Sequence, residues 1–139
     1  MALNLEHEFS YAERPIIPIR IANPSPLAPS ILTEALLDTG ADVSLLDADL
    51  ARPLLLAPER FGALGGVSGS TAPVAWSSVD IRVQGLRDDE GAVELTMGLV
   101  PGLSKTAGSL LGRDFFLYFD FALHHDTSRT RRRFYLGRA

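Results

Sequence analysis

The stretch Glu34–Leu46 reads EALLDTGADVSLL, and the interpretation of the whole chain starts from it. Its ionisable residue Asp38 lies between two apolar runs, Ala35–Leu37 before it and Val43–Leu46 after it. A carboxylate that enters an apolar interior loses hydration and needs compensation, whereas an aspartate in a surface turn would not need apolar flanks on both sides. A second carboxylate that shares a proton with Asp38 would supply this compensation, because two acids a few ångströms apart do not both ionise. An aspartate in an ordinary turn at the end of a strand is the alternative.

Length and composition restrict the classes of protein. The 139 residues suit one domain, so residues 1–139 are predicted to form a single unit with a real core, because 46% are hydrophobic and 22% charged. A formal net charge of −4 argues against nucleic acid as the main partner. No apolar run approaches the ~18 residues of a membrane span, and the N-terminus lacks the features of a signal peptide, so we expect no membrane and a cytoplasmic location. The absence of cysteine excludes disulfides, thiolate metal sites and cysteine nucleophiles.

Short apolar runs between turn signals predict a mostly β domain, since Pro and Gly recur every ten or so residues and long helical periodicity is missing. Pro15 and Pro18 predict that the first strand is an edge strand or pairs on one side only. The predicted strands are Arg14–Ile21, Ile31–Leu37, Ala72–Val83, Val93–Val100, Phe121–His124 and Arg133–Leu136, the last two paired as a hairpin.

Turns and short helices fill the intervals. Asp47 is placed to cap one helical turn that Pro53 ends. The acidic segment Gly85–Gly91 is predicted to be a hairpin turn, and Phe115–Phe119 a short helix. We find no internal repeat and no linker, so the chain is predicted to be one compact β domain.

Residues 34–42 resemble the active-site segment of the retropepsins, the retroviral aspartic proteases. Three more segments follow in the order of that family: Arg14-Pro15 with the strand after it, the glycine-rich stretch Leu64–Gly69, and Leu110–Asp114, which reads LLGRD. A lone Asp-Thr-Gly is a common turn tripeptide, but the combination is specific. The resemblance implies an all-β fold: a closed β-barrel with a flap hairpin and one short C-terminal helix, one lobe per chain.

The resemblance also implies catalytic roles. Asp38 would pair with Asp38 of the partner subunit across a two-fold axis and activate a water for attack on the peptide carbonyl. Thr39 would hold the pair rigid by bonding to the partner's backbone. Gly40 would let the substrate backbone approach closely. The family needs no metal and no other cofactor.

Substrate-binding roles follow from the same resemblance. Asp42 would bind the substrate main chain, oriented by Arg113 in an ion pair shielded within the subunit, and Arg14 would reach Asp42 of the partner subunit. The glycine-rich tip would close over the substrate as a lid. The remaining implied substrate-binding residues are Gly65, Gly66 and Val67 in the flap, Leu36, Leu45 and Leu110 with Val67 in apolar pockets, and Ala41 and Val43 beside the catalytic loop.

A single Asp-Thr-Gly motif predicts a homodimer, because the catalytic pair then needs two chains. The segment Asp126–Ser128 is no substitute, since Ser128 stands where glycine is needed. We therefore expect a homodimeric aspartic endopeptidase that cleaves extended peptides at apolar residues. The alternatives are a catalytically weak or inactive peptide-binding or dimerisation module of the same fold, and a structural β domain with a coincidental motif.

Two other clusters have simpler interpretations. His124 and His125 with Asp126 could be metal ligands, but adjacent residues of a strand point to opposite faces, so a solvated hairpin is preferred. The basic run Arg129–Arg133 could contact nucleic acid, but in a negatively charged chain we expect a solvated hairpin tip or a dimer contact.

Overall fold

The computed structural model describes residues 3–65, 71–103 and 107–139. Within these ranges the strands are β1 (His7–Ser10), β2 (Ile16–Ala22), β3 (Ser30–Leu37), β4 (Leu45–Asp47), β5 (Arg60–Gly65), β6 (Thr71–Val83), β7 (Ala92–Val100), β8 (Ser109–Leu111), β9 (Phe119–His124) and β10 (Arg133–Arg138). The helical elements are α1 (Ala48–Ala51), α2 (Asp88–Gly91) and single 3₁₀ turns at Arg52–Leu54, Phe115–Leu117 and Arg129–Arg131. None of these described helices is long and apolar enough to cross a membrane.

Six strands close into a barrel, which confirms the predicted fold class. Their order is β2-β3-β8-β4-β7-β6, and β6 pairs back to β2. The β3–β8 and β4–β7 pairs are parallel. β5 adds to the outer edge of β6 as the first strand of an antiparallel hairpin. The barrel therefore holds the ends of β3 and β8 side by side, and the segments that follow these two strands carry the candidate catalytic residues.

β2 alternates between the core and the surface, as a half-buried strand must. Ile17, Ile19 and Ile21 are fully buried, while Pro18 is exposed. The prediction that the prolines make β2 an edge or one-sided strand is wrong, because β2 pairs with β3 and with β6. Pairing with β6 begins only at Ile19, and Pro18 contributes just its carbonyl, which accepts a hydrogen bond from the Gln84 N–H at 3.0 Å. The missing N–H of proline therefore costs no ladder bond on that side.

A second, three-stranded sheet has the order β1-β10-β9. It contains the predicted C-terminal hairpin of β9 and β10, joined by β1, which the sequence did not predict. Phe134 and Leu136 on β10 are fully buried in the same apolar cluster as the barrel core. The ring of Phe9 stacks on that of Phe134 with centroids 5.0 Å apart. The sheet is thus packed on the barrel as part of one core.

The short helices agree in part with those predicted from the sequence. The Asp47 carboxylate accepts hydrogen bonds from the Asp49 and Leu50 N–H groups and caps α1, as predicted. The acidic segment after Gly85 contains the helical turn α2 and not a simple hairpin turn. The C-terminal helix is one 3₁₀ turn, shorter than Phe115–Phe119, because Phe119 already begins β9.

Candidate active site

Asp38 lies at the exit of β3, in a loop that is tied to the neighbouring strand β8. Its N–H donates to the Leu111 carbonyl at 2.9 Å. The Asp38 Oδ1 accepts from the Gly40 N–H at 2.9 Å, and the Asp38 carbonyl accepts from the Ala41 N–H at 3.2 Å. The Asp38 side chain is half-buried in the single chain. The loop thus fixes the carboxylate and leaves part of it open to solvent.

Gly112 allows two segments of the chain, the Asp38 loop and the LLGRD segment, to cross in contact. A Cβ at Gly112 would lie 2.7 Å from the Ala41 carbonyl oxygen and 2.6 Å from the Val43 carbonyl oxygen. Both distances are far inside van der Waals contact with backbone, so only glycine fits. The next residue, Arg113, donates its backbone N–H to the Ala41 carbonyl at 2.8 Å. Ala41 and Val43 are therefore placed at the crossing through their main chain.

Sequence reasoning missed the polar pair Ser44–Asp114, which holds this crossing together. The Ser44 hydroxyl donates to Asp114 Oδ1 at 2.6 Å and accepts from the Gly112 N–H at 3.0 Å. The Ser44 N–H donates to Asp114 Oδ2 at 3.1 Å. Ser44 is fully buried. The one available signal was a serine inside the apolar run Val43–Leu46, which needs a polar partner if it is buried.

Arg113 joins the predicted partner Asp42, although in a different environment from the one expected. Its Nη1 lies 3.3 Å from Asp42 Oδ1, and its Nε donates to the Thr39 carbonyl at 3.1 Å. The side chains are 65% and 83% exposed, so in the single chain the ion pair is open to solvent and the expectation of a shielded pair is wrong. Nothing in the described part of one chain covers this rim.

Arg14 does not reach this cluster within its own chain. It is exposed, just ahead of β2, and its side chain makes no ion pair or hydrogen bond with the residues that the structure describes. Thr39 is also exposed. The predicted contacts of both side chains with a partner subunit stay predictions.

Three of the predicted pocket residues form one row across the strands next to Asp38. Leu36 on β3 is paired with Leu110 on β8, and Leu110 is paired with Leu45 on β4. All three are partly exposed, whereas the residue that follows each of them in the chain is buried in the core. Period-two alternation therefore places this row on the outer face of the barrel. The row forms an apolar wall beside the Asp38 loop.

The row continues past Leu45 through residues that the sequence did not assign to the site. Leu45 is paired with Gly98 on β7, Gly98 with Trp76 on β6, and Trp76 with Arg60 on β5. A Cβ at Gly98 would meet Leu45 Cδ2 at 2.9 Å. The row thus extends from the Asp38 loop to the β5–β6 hairpin. No local motif marks it, because it depends on strand register.

Most of the predicted flap tip lies outside the described residues. Gly65 ends β5 and is paired with Thr71 on β6, so the two strands form a hairpin at this point. Gly66 and Val67 lie outside the described residues, and their predicted contacts with substrate stay predictions.

One group of potential metal ligands occurs in the described ranges, on elements that carry none of the residues above. The ligand atoms of Glu6, His7 and Glu90 lie within 4.8 Å of one another. His7 Nε2 is 2.9 Å from Glu90 Oε2, and Arg87 Nη2 is 2.7 Å from Glu90 Oε1. The hydrogen bond from His7, assisted by Arg87, holds the pKa of Glu90 below its ordinary value. With both Glu90 oxygens already paired, the group is an ion-pair cluster.

Of the histidines considered above as metal ligands, His125 has its Nδ1 3.1 Å from the Tyr11 hydroxyl.

Comparison with known proteins agrees with this geometry. A sequence model described as retroviral aspartyl protease matches residues 11–124. The matched range contains β2 to β9 and both loops of the crossing, and it leaves out β1 and β10. No curated protein matches the chain.

Proposed function

Because the chain belongs to the retroviral aspartyl protease family, we propose that it is a homodimeric aspartic endopeptidase with Asp38 as the catalytic carboxylate of each subunit. The observation that carries the proposal is the crossing at Gly112. There the Asp38 loop is held by the Leu111 carbonyl on one side and by the Arg113 N–H on the other. Such support fixes a carboxylate against rotation and translation, as preorganised catalysis requires.

The number of carboxylates argues for two chains. The sequence contains one Asp-Thr-Gly, at residues 38–40, and hydrolysis by this chemistry needs two carboxyl groups. A two-fold axis beside the loop would bring Asp38 of one subunit to Asp38 of the other. We then expect two side chains at the contact: Thr39, which is exposed, and Arg14, which is exposed and has no ion-pair partner among the described residues.

The three-stranded sheet offers a second contact. β9 pairs with β10 on one side, and its other edge has no partner among the described strands. Leu117, just before β9, is 77% exposed, and Leu123, within β9, is 48% exposed. An open strand edge with apolar neighbours is a template for pairing with another chain. An antiparallel contact between two β9 strands would cover it.

The proposed reaction is direct attack by water. One carboxylate of the Asp38 pair takes a proton from the bound water while the other, protonated, donates to the carbonyl oxygen of the substrate. The new C–O bond gives a tetrahedral gem-diol. Collapse of this intermediate breaks the C–N bond, and the amine leaves with a proton returned through the pair. The two carboxyl groups end in the protonation states in which they started.

The surroundings of the loop favour an extended apolar substrate. Leu36, Leu110 and Leu45 form the wall on the outer barrel face, and burying an apolar side chain against them would add affinity. The Asp42 side chain is 83% exposed at the rim, so beside its ion pair with Arg113 it can accept a main-chain N–H of the peptide. This arrangement binds backbone and side chains on different parts of the site.

The test compares the wild type with Asp38→Asn on a peptide mixture between about pH 4 and 7. We expect cleavage by the wild type that rises faster than linearly with enzyme concentration, because the active species is the dimer. Asp38→Asn should lower kcat/KM by about a thousandfold or more. As a control, Asp49→Asn changes an exposed acid on α1 and should leave cleavage unchanged.

Other outcomes separate the alternatives. If the wild type cleaves no peptide but is dimeric by sedimentation, the protease proposal is wrong and a peptide-binding or dimerisation module replaces it. Cleavage that persists in Asp38→Asn, or that is strictly linear in concentration for a monomeric protein, would exclude the shared pair of carboxylates.

A further inference from the structure

The row of side chains beside Asp38 ends at an arginine held on an aromatic platform. Trp76 is 4% exposed, and its indole fills space that two glycines leave open. A Cβ at Gly98 would lie 3.2 Å from two carbons of its six-membered ring, and a Cβ at Gly62 would lie 3.2 Å from its Nε1. The indole is therefore confined between β5 and β7. It cannot change rotamer without disturbing its neighbours.

Arg60 is stacked on this platform with its donors unused. Its guanidinium carbon lies 4.5 Å from the centroid of the Trp76 ring. Arg60 is exposed, and its side chain makes no ion pair or hydrogen bond with the described residues. Stacking uses the face of the guanidinium and leaves the N–H groups in its plane available, in a geometry that matches a carboxylate. The guanidinium is thus a cation positioned by Trp76, with no anionic partner among the described residues.

Strand spacing places this cation relative to the scissile bond. Trp76 lies three strands from Leu110 along the row, through Leu45 and Gly98. At about 4.8 Å per strand this is roughly 14 Å, and the indole reaches back towards Leu45. A peptide in extended conformation advances about 3.3 Å per residue, so the guanidinium would meet a side chain about three or four residues from the cleaved bond.

We propose that Arg60, held by Trp76, selects an acidic side chain of the substrate in this outer position. The inference rests on the proposed function and adds a charge preference to it. Arg113, beside the Asp38 loop, is already paired with Asp42, so it does not compete for the same carboxylate. The chain as a whole is negative, with a formal charge of −4, so the preference should be confined to one position of the peptide and should not extend to acidic peptides in general.

The kinetic test uses peptides that share one apolar cleavage site and differ by a single Glu or Gln. The residue is placed in turn at the third and fourth positions on each side of the bond. We expect the wild type to cleave the Glu peptide with a kcat/KM roughly three to ten times higher at one of these positions, a ratio that falls with added salt. Arg60→Gln should reduce the ratio to about one, and Arg60→Lys should retain part of it because the charge remains.

A binding test gives a readout that does not need turnover. Trp76 is the only tryptophan of the chain, so its fluorescence reports directly on the platform. Titrated into Asp38→Asn protein, the Glu peptide should bind with a Kd lower than that of the Gln peptide by the same factor. Adding Arg60→Gln should remove the difference. The matched control Arg20→Gln removes a barrel arginine that bonds only to Ser30 among the described residues and should leave the ratio intact.

The outcomes distinguish this inference from the proposed function. If the wild type cleaves both peptides and Arg60→Gln leaves the Glu-to-Gln ratio unchanged, the role of Arg60 is wrong and the protease stands. If no peptide is cleaved but binding shows the Arg60-dependent preference, the protease is wrong and the role of Arg60 stands. A protein that neither cleaves nor binds either peptide overturns both.

Discussion

At the scale of single residues, the candidate site depends on a buried serine whose polar groups are paired. Ser44 connects the segment after the Asp38 loop to the partly buried Asp114 and to the Gly112 N–H. Asp114 also accepts from the Phe115 N–H at 2.9 Å and so begins the 3₁₀ turn that leads to β9. Because hydrogen bonds to a charged group are stronger than neutral ones, this cluster should contribute more to stability than its size suggests.

The first residue-scale prediction concerns this hydroxyl. Ser44→Ala leaves the Gly112 N–H without its acceptor and removes a donor from Asp114, so we expect a loss of about 2 kcal/mol in the free energy of unfolding. Chemical denaturation measures it. Ser77→Ala is the matched control, because Ser77 is equally buried but its hydroxyl has no hydrogen-bond partner in the described structure. Equal effects of the two substitutions would contradict the role given to Ser44.

The sequence predicted the candidate site residues more readily than the residues that support them. Asp38 and Arg113 could be found because their segments have distinctive composition in a fixed order. Ser44 could not, since its partners lie some 70 residues away in the chain and only the fold brings them together. Trp76 and Arg60 were not predicted as part of the row for the same reason. Cross-strand register is set by the closed barrel, and no local sequence pattern indicates it.

At the scale of elements, the β6–β7 hairpin contains an unfavourable pair of charges. Asp80 and Glu94 are directly opposite each other on the two strands. Partial burial, and then repulsion by Glu94, raise the pKa of Asp80 above its ordinary value, although Arg82 opposes the shift. The folded state therefore holds a proton on Asp80 more readily than the unfolded state does. Stability falls as the pH rises through that raised pKa.

The element-scale prediction follows from the sign of this shift. Asp80→Asn removes the like-charge pair, so we expect a gain of about 0.5 kcal/mol at pH 7, seen as a Tm higher by roughly 2 °C. The gain should disappear near pH 3, where the carboxyl of the wild type is protonated. Asp89→Asn removes an exposed acid of α2 and controls for net charge. An equal gain at both pH values would mean that repulsion is not the cause.

Elements were predictable where their own residues alternate clearly. The β9–β10 hairpin occurs close to its predicted position because apolar residues recur with period two in both strands. β3 was predictable as a short apolar run that leads into Asp38. β1, with the sequence HEFS, was not predicted, because only Phe9 is apolar and the strand exists through its pairing with β10. The Pro18 argument failed because proline affects only the side of the strand to which its N–H would point.

At the scale of the whole molecule, ion pairs and hydrogen bonds fasten the three-stranded sheet to the barrel. His7 on β1 contacts Glu90 on α2, and Arg138 on β10 donates to the Ala92 carbonyl at 3.1 Å. The Glu90 pKa is lowered chiefly by His7. A lowered pKa means that this contribution to stability is present above the pKa of the unfolded state and is lost as the pH falls through the folded one.

The whole-molecule prediction is a change in the pH dependence of unfolding. In the wild type, Tm should fall as the pH drops below about 4, in part because Glu90 becomes protonated. Glu90→Gln should have a lower Tm at pH 6 and a flatter slope between pH 5 and 3. Asp49→Asn, which breaks an exposed pair with Arg52, should leave the slope unchanged. A slope that is the same in Glu90→Gln and in the wild type would exclude this contact as a pH-dependent fastening.

The pairing of β1 with β10 has a consequence for biosynthesis. His7 is paired with Leu136, about 130 residues further along the chain. At the usual 5 to 20 residues per second, a ribosome needs about 6 to 25 s to make the intervening segment. Throughout that interval β1 has no strand to join, although all six barrel strands are translated before the interval ends. The three-stranded sheet, and any dimer that uses it, can therefore form only after the Asp38 loop has been translated.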